Sequence, residues 1–126
     1  MNTLGRHILA EIYGCDSELL DNQEYIEKVM VDSALKAGAE VRETAFHKFS
    51  PHGVSGVVVI SESHLTIHTW PELNYAAVDV FTCGDKINPW DACNYMTEHL
   101  KARNMTATEV KRGIFEQPVS VKVSNI

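Results

Sequence analysis

The chain has 126 residues, of which 44% are hydrophobic and 22% are charged, and its formal net charge is -6. This length predicts one globular domain, residues 1–126, that buries roughly two-thirds of its unfolded surface. The acidic balance, without a cluster of lysine and arginine, disfavours nucleic-acid binding, and no run approaches the ~18 apolar residues that cross a membrane. We therefore expect neither nucleic acid nor a membrane as a partner.

The three cysteines, Cys15, Cys83 and Cys93, are odd in number and include no C-x-x-C pair. This pattern disfavours both a disulfide framework and a zinc ribbon. The first residues also lack the basic-then-apolar layout of a secretory signal. These features predict a protein of the reducing cytoplasm.

The first half of the chain predicts a strand, a helix and then three strands. Alternating apolar residues indicate the first strand, over residues 6–13, with one buried face. The helix is predicted over residues 22–37, with Asp21 as its N-cap and Gly38 as the glycine that ends it. The three strands that follow are predicted over residues 40–49, 54–61 and 64–69.

The second half predicts a strand over residues 75–82, a helix and a last core strand. The helix begins at Pro89, because proline suits the first helical turn, and it reaches about residue 100. The core strand is predicted over residues 106–112. Alternating valines in the tail, residues 119–123, fit either an edge strand or a disordered segment.

This order of elements predicts an α+β fold, a two-layer sandwich in which an antiparallel sheet carries two helices on one face. Strands and helices do not alternate strictly, as a doubly wound parallel sheet would require. The second face of the sheet would stay uncovered by the chain itself. We therefore expect two chains to stack their sheets in a dimer.

Reactive side chains concentrate in residues 61–72, directly after an apolar run. The Ser63 hydroxyl can attack the preceding carbonyl, that of Glu62, which converts the amide into an ester if the geometry is held and a base accepts the proton. Elimination across Ser63 then leaves a pyruvoyl ketone, an electron sink like the aldehyde of pyridoxal phosphate. The stretch thus permits self-cleavage.

Other residues have roles in this chemistry, and each also has an ordinary structural interpretation. His68 is a candidate base, Ser55 a candidate donor to the oxyanion and Cys83 a candidate proton carrier. A pair of histidines on one strand face, such as His64 and His68, is more often simply polar surface. A buried cysteine is usually a small core residue, and Phe49 before a turn is usually core. Composition and periodicity alone favour these structural interpretations.

Four separated motifs carry a resemblance to a known family. In chain order they are Phe49-Ser50-Pro51-x-Gly53-x-Ser55, Ser61-Glu62-Ser63, Thr66-Ile67-His68-x-x-Pro71-Glu72 and Thr82-Cys83-Gly84. Their order and content resemble the short prokaryotic type of S-adenosylmethionine decarboxylase proenzyme, over nearly the whole chain.

The resemblance implies a precursor that cuts itself between Glu62 and Ser63 into a β chain, residues 1–62, and an α chain, residues 63–126. Ser63 becomes the pyruvoyl group, which forms a Schiff base with the substrate without pyridoxal phosphate or a metal. His68 and Ser55 serve processing, with His68 as proton acceptor. Cys83 donates the proton that replaces carbon dioxide.

The resemblance also implies how the substrate, S-adenosylmethionine, is held. Glu72 matches the carboxylate that binds the ribose hydroxyls, and Phe49 an aromatic residue that stacks on adenine. Trp70 is either a second neighbour of adenine or a packing residue. The product is the aminopropyl donor for polyamine (spermidine) synthesis. The family fold is a two-layer sandwich whose dimer of αβ units stacks the two sheets, with sites near the interface.

Three alternatives remain. A relative in the same family decarboxylates arginine with the same processing residues. A small ligand-binding module would never cleave itself. A metal protein would use three histidines, His52, His64 and His68.

One spacing conflicts with a regular strand. Ser63 and His68 are five positions apart, so in one flat strand their side chains would lie on opposite faces. The sequence therefore predicts a bulge or break near Ser63, or a Ser63 outside the regular strand.

Overall fold

The computed structural model describes residues 2–115, which form one six-stranded antiparallel sheet with helices on one face. The strands are β1 (Asn2–Tyr13), β2 (Val41–Lys48), β3 (Val54–Ile60), β4 (Ser63–Trp70), β5 (Tyr75–Cys83) and β6 (Asn104–Phe115). The helices are α1 (Ser17–Leu20), α2 (Gln23–Lys36) and α3 (Pro89–His99), and a 3-10 turn spans Pro71–Leu73. The spatial order of the strands is β2-β3-β4-β5-β1-β6. This confirms the predicted α+β sandwich.

The core lies between the helices and one face of the sheet. Alternate residues of each inner strand point to it, as period-two alternation requires. The largest fully buried side chains include Ile8, Ile12, Leu65, Ile67 and Val80 from the sheet. Leu20, Ile26, Met30, Met96 and Leu100 close the core from the helical side.

The other face of the sheet is not covered by the described part of the chain. It carries polar groups and large apolar side chains, with Leu9 48% and Trp70 39% exposed. Val59 and Val110 are similarly exposed on neighbouring strands. We call this surface the open face.

The cap of α2 differs from the prediction. The Asn22 side chain, not that of Asp21, accepts the hydrogen bond from the backbone of Tyr25. The reason is the short helix α1, which the sequence pattern did not show because four residues are too few for a periodic signal. Asp21 ends α1 and instead accepts a hydrogen bond from Gly53.

The last described strand is not the predicted core strand. β6 lies at the edge of the sheet, longer than the predicted residues 106–112, and most of its side chains are exposed. Only Met105 and Ala107 pack against the core. The alternation at residues 119–123 lies outside the described residues. None of the helices within residues 2–115 is long and apolar enough to cross a membrane.

Candidate active site

Ser63 begins β4 in an unusual backbone conformation. Ile60 of β3 lies directly opposite it, so Ser61 and Glu62 form the turn between the two strands. The φ angle of Ser63 is 107°, in a region that residues other than glycine rarely adopt. Such conformations persist where the surrounding structure enforces them. The predicted bulge or break is not present, because Ser63 belongs to β4 and the register with both neighbouring strands is continuous. The departure from a regular strand is confined to the φ angle of Ser63.

The irregular backbone directs the Ser63 hydroxyl to a cysteine. In a regular strand Ser63 would share the helical face with Leu65, two positions on. Its Oγ instead lies 3.1 Å from the Sγ of Cys83, which belongs to the half-buried alternate residues of β5 on the open face. Cys83 is a free cysteine. The structure therefore places the predicted nucleophile beside the predicted proton donor.

A second group of predicted residues lies farther along the same strands. Ser55 and His68 are direct cross-strand partners in β3 and β4. The Ser55 hydroxyl and His68 Nδ1 are hydrogen-bonded at 2.8 Å. This pair resembles an activated hydroxyl with its base.

A cavity of about 420 Å³ adjoins this pair. Its lining includes Phe49, Trp70 and Glu72. Phe49 is 46% exposed and is therefore not the core residue of the structural interpretation. Trp70 borders the cavity and also stacks on Tyr75, with ring centroids 5.3 Å apart. The three predicted substrate-binding residues are thus brought together.

Two sets of polar contacts fix the turn beside this cavity. His52 Nε2 lies 3.2 Å from a carboxylate oxygen of Glu72. The backbone N–H of Gly53 donates to Asp21, and Lys48 Nζ lies 3.0 Å from the same carboxylate. The hydrogen bond from Gly53, followed by that from Lys48, lowers the pKa of Asp21. Asp21 therefore stays charged and anchors the turn that contains His52.

The two groups do not meet within one chain. Five residues of extended strand separate Ser63 from His68, which corresponds to roughly 17 Å. Ser63 and Cys83 lie at one end of the central strands, and the Ser55–His68 pair lies toward the other. A single chain therefore presents two half-sites on its open face.

The structure shows a third cluster that the sequence did not predict. On the open face, His7 Nε2 lies 2.5 Å and His64 Nε2 lies 3.2 Å from the same carboxylate oxygen of Asp79. Thr66 donates a hydrogen bond to the other oxygen. Burial alone would raise the pKa of Asp79, but these three hydrogen bonds outweigh it and lower the pKa. Asp79 is thus an ionised carboxylate that accepts hydrogen bonds from three side chains.

Arg112 extends this cluster toward the edge of the sheet. Its guanidinium donates to His7 Nδ1 at 2.9 Å and lies 5.3 Å from the centroid of the Phe81 ring. Because arginine can only donate, His7 must carry its proton on Nε2, toward Asp79. That tautomer leaves no lone pair on His7 Nε2 to bind a metal ion, although His7, His64 and Asp79 have the spacing of metal ligands.

The predicted metal ligands are not brought together. His52 contacts Glu72, His68 contacts Ser55 and His64 contacts Asp79. A signal for the actual cluster was present in the sequence, since Asp79 is a lone carboxylate within the apolar strand of residues 75–83. Its partner His7 lies 72 positions away along the chain, so only the fold could pair them.

Comparison with known proteins identifies the family. Residues 6–113 match the family model described as S-adenosylmethionine decarboxylase. The chain is 82% identical over 126 residues to a protein of Clostridium kluyveri named S-adenosylmethionine decarboxylase proenzyme, with 100% of both chains covered. A protein of the same name from Clostridium tetani is 82% identical over 125 residues, 99% of each chain.

A solved structure agrees with the sequence relatives. The crystal structure of the adenosylmethionine decarboxylase from Aquifex aeolicus superimposes with a TM-score of 0.87 at 36% sequence identity. The match covers 96% of this chain and 100% of that one. The chain belongs to the S-adenosylmethionine decarboxylase family.

Proposed function

We propose that the protein is a self-processing, pyruvoyl-dependent decarboxylase of S-adenosylmethionine. The observation that carries this proposal is the placement of Ser63. The residue directly follows a two-residue turn, its own φ angle is 107°, and its hydroxyl lies 3.1 Å from the Cys83 thiol. This is a nucleophile held in an enforced conformation beside a proton donor. The family membership supports the same chemistry.

Processing proceeds by rearrangement at one peptide bond. The Ser63 oxygen bonds to the carbonyl carbon of Glu62, the carbonyl π electrons move to the oxygen, and a base takes the hydroxyl proton. The C–N bond then breaks, the nitrogen gains a proton, and an ester remains. Loss of the Ser63 α-proton expels the Glu62 carboxylate and leaves a dehydroalanine. Its imine tautomer reacts with water to release ammonia and leave the ketone of the pyruvoyl group.

The ketone supplies an electron sink for decarboxylation, as the aldehyde of pyridoxal phosphate does. Cys83 already lies beside residue 63, where it is placed to return a proton to the substrate carbon after carbon dioxide departs.

A dimer would complete the site. The exposed apolar side chains of the open face favour a second copy of the chain as its cover. Suppose that the two sheets stack face to face about a two-fold axis that lies between them, perpendicular to β4 and level with the midpoint between Ser63 and His68. The two β4 strands then run in opposite directions, and Ser63 of each chain faces His68 of the other. Such an isologous contact supplies both processing groups, Ser55 and His68, to the partner's scissile bond. Each Ser55–His68 pair would act at the scissile bond of the other chain, so the dimer would contain two equivalent sites.

The cavity beside the Ser55–His68 pair suits the nucleoside part of the substrate. Glu72 offers two carboxylate oxygens to the ribose hydroxyls, and Phe49 and Trp70 offer ring faces to adenine. An aromatic face near the sulfonium contributes about 0.5–2 kcal/mol by cation–π attraction. Arginine lacks a nucleoside, so this cavity favours S-adenosylmethionine as the substrate.

The product would serve as the aminopropyl donor in polyamine synthesis. The three cysteines, including the two buried ones, are all free, which fits a reducing compartment such as the cytoplasm.

Two measurements test the function. Mass spectrometry of the purified protein should find fragments of residues 1–62 and 63–126, the second with a blocked N-terminus. The cleaved protein should then release carbon dioxide from S-adenosylmethionine but not from arginine. A chain that stays intact through long incubation at its working temperature contradicts the proposal. Release of carbon dioxide from arginine but not from S-adenosylmethionine would show that arginine is the substrate instead.

A further inference from the structure

Thr82 carries a buried hydroxyl without a hydrogen-bond partner. The residue is 1% exposed. Among the buried side-chain nitrogen and oxygen atoms of the described residues, its Oγ1 is the one that no donor or acceptor reaches. Buried polar groups are nearly always paired, because an unpaired one loses its hydrogen bonds to water and gains none in return. A valine of nearly the same shape would avoid that penalty, so the hydroxyl calls for a functional reason.

Its position supplies one. Thr82 of β5 is the direct cross-strand partner of Ser63. Opposite residues of an antiparallel pair have Cα atoms about 4.5–5.5 Å apart. The unpaired hydroxyl therefore belongs to the residue directly opposite Ser63, whose nitrogen is part of the peptide bond between Glu62 and Ser63. Thr82 also directly precedes Cys83 in β5. The Thr82 side chain lies on the helical face of the sheet and the Cys83 side chain on the open face, so Ser63 has one of them on each side.

The conformation of Ser63 explains why Thr82 is unpaired. In a regular ladder, opposite serine and threonine side chains on one face hydrogen-bond to each other. The positive φ of Ser63 removes its hydroxyl from that pairing and places it against Cys83. The structure thus loses one hydrogen bond at Thr82 in exchange for aligning the nucleophile.

We propose that Thr82 is a catalytic residue of self-cleavage, whose hydroxyl donates a hydrogen bond to the former carbonyl oxygen of Glu62 in the tetrahedral intermediate. This inference rests on the proposed self-processing. When the Ser63 oxygen bonds to the carbonyl carbon, the π electrons move to that oxygen and leave it negatively charged. Thr82 shares its proton with this oxyanion but does not transfer it, and the proton of Ser63 goes to the base.

A donor that is unpaired in the precursor is well suited to this role. Only interactions that strengthen between ground state and transition state raise a rate. A hydroxyl with an existing partner would have to give up one hydrogen bond to make another. Thr82 has none to give up, so the full interaction with the oxyanion lowers the barrier. Ser55, the donor expected from the sequence, lies near the far end of β4 in the same chain and would reach this bond only from the second copy in the proposed dimer, so Thr82 is the donor that the chain itself supplies.

The test compares the first-order rate of self-cleavage in three freshly purified precursors, by mass spectrometry at one protein concentration. Thr82→Val removes the hydroxyl and keeps the shape, and we expect it to slow cleavage at least about tenfold. Thr82→Ser keeps the hydroxyl and should cleave within about threefold of the unsubstituted chain. Should the valine variant not fold, Thr82→Ala carries the same comparison.

Thermal unfolding supplies a second readout that a purely structural role would not match. It is measured in the Ser63→Ala background, where every chain stays intact. Thr82→Val should unfold at the same or a higher temperature, because it removes an unsatisfied group. Thr69→Val is the matched control: this buried hydroxyl donates to Leu20 O and accepts from Val54 N, so its loss should lower the unfolding temperature.

Each other outcome overturns the inference. Cleavage of Thr82→Val at the unsubstituted rate removes the hydroxyl from the reaction. Equal slowing of the serine and valine variants assigns the effect to packing. A lower unfolding temperature for Thr82→Val, with unchanged cleavage, indicates a hydroxyl that a buried water satisfies. Failure of the unsubstituted chain to cleave contradicts the proposed function itself and is seen before any variant is compared.

Discussion

His68 Nδ1 is hydrogen-bonded to the Ser55 hydroxyl at 2.8 Å, yet His68 lies five residues along β4 from the serine that it is expected to serve. Both residues of this pair face the open side of the sheet. The relationship separates the base from the nucleophile within one chain. It therefore makes the second copy of the chain part of the proposed chemistry.

Complementation tests that dimer. Ser63→Ala and His68→Ala chains should each stay uncleaved when expressed alone. Co-expressed in equal amounts, about half of the dimers are mixed at random pairing, and in these the Ser63 of one chain meets the His68 of the other. We expect mass spectrometry to find cleaved chains that carry only the His68→Ala substitution. If co-expression yields no cleavage, the base acts within its own chain.

Ser63→Ala tests the source of the electron sink. Without the hydroxyl, no bond to the Glu62 carbonyl can form, so the chain should remain one species of full length. Because Ala fits the same half-buried position, the protein should still fold with a normal circular dichroism spectrum. It should release no carbon dioxide from S-adenosylmethionine. Any turnover by the intact variant would falsify the pyruvoyl assignment.

Cys83→Ala tests the proton donor. The processed fraction of this variant should turn over S-adenosylmethionine about 10²-fold or more slowly, because the substrate carbon lacks its proton source. The rate is normalised to the cleaved chain, so that an effect on processing is counted separately. A near-normal rate would mean that another group protonates the carbon.

The other cysteines offer a chemical control for that experiment. Burial raises the pKa of Cys15 to about 11 and that of Cys93 to about 12, so both thiols stay protonated and unreactive near neutral pH. Brief treatment with iodoacetamide should therefore label Cys83 first and abolish activity in proportion to the label. Peptide mapping that finds the first label on Cys15 or Cys93 would contradict this order.

Glu72→Gln tests the nucleoside cavity. Loss of the charged acceptor should raise KM about tenfold, which corresponds to about 1.4 kcal/mol, and should change kcat much less. The matched control is Glu98→Gln, an exposed residue of α3 on the helical side of the sheet, which should leave KM unchanged. Equal KM values for the two variants would place the ribose elsewhere.

Asp79→Asn tests the cluster on the open face. A carboxylate with a lowered pKa stabilises the fold above its unfolded pKa of about 3.9, and this contribution is lost as the pH falls through the still lower folded value. Asparagine is neutral throughout. In the Ser63→Ala background at one protein concentration, the variant should unfold about 1–3 kcal/mol more easily at pH 7. The difference should shrink below pH of about 4, and a constant difference would contradict this account.

Strand periodicity predicted most of the fold because each inner strand has one face against the helices. Ile8, Ala10 and Ile12 are all buried, as their alternation indicated. The periodic pattern gave a wrong prediction at the edge of the sheet and missed an element of only four residues. β6 alternates, but it lies at the sheet edge and is mostly exposed, and α1 is too short to show a helical period.

The candidate site was predictable where chemistry acts between neighbours in sequence. A serine after a carbonyl needs no fold to suggest acyl transfer. The spacing of Ser63 and His68 predicted a bulge or break, whereas the structure keeps Ser63 in register and differs from a regular strand in its φ angle. Asp79 was not assigned because its partner His7 comes from a strand at the other end of the chain. Long-range pairs of this kind depend on strand order, which alternation does not encode.

The sequence by itself indicated the family and predicted the bond to be cut and the residue types of the proposed reaction, because motifs and period-two burial are local properties of a chain. Tertiary structure decided where those residues stand. Antiparallel register put Ser63 opposite Thr82 and beside Cys83, and it kept the Ser55–His68 pair at the other half-site. The physical reason is that cross-strand distances are set by strand pairing and side-chain direction, neither of which is fixed until the sheet closes.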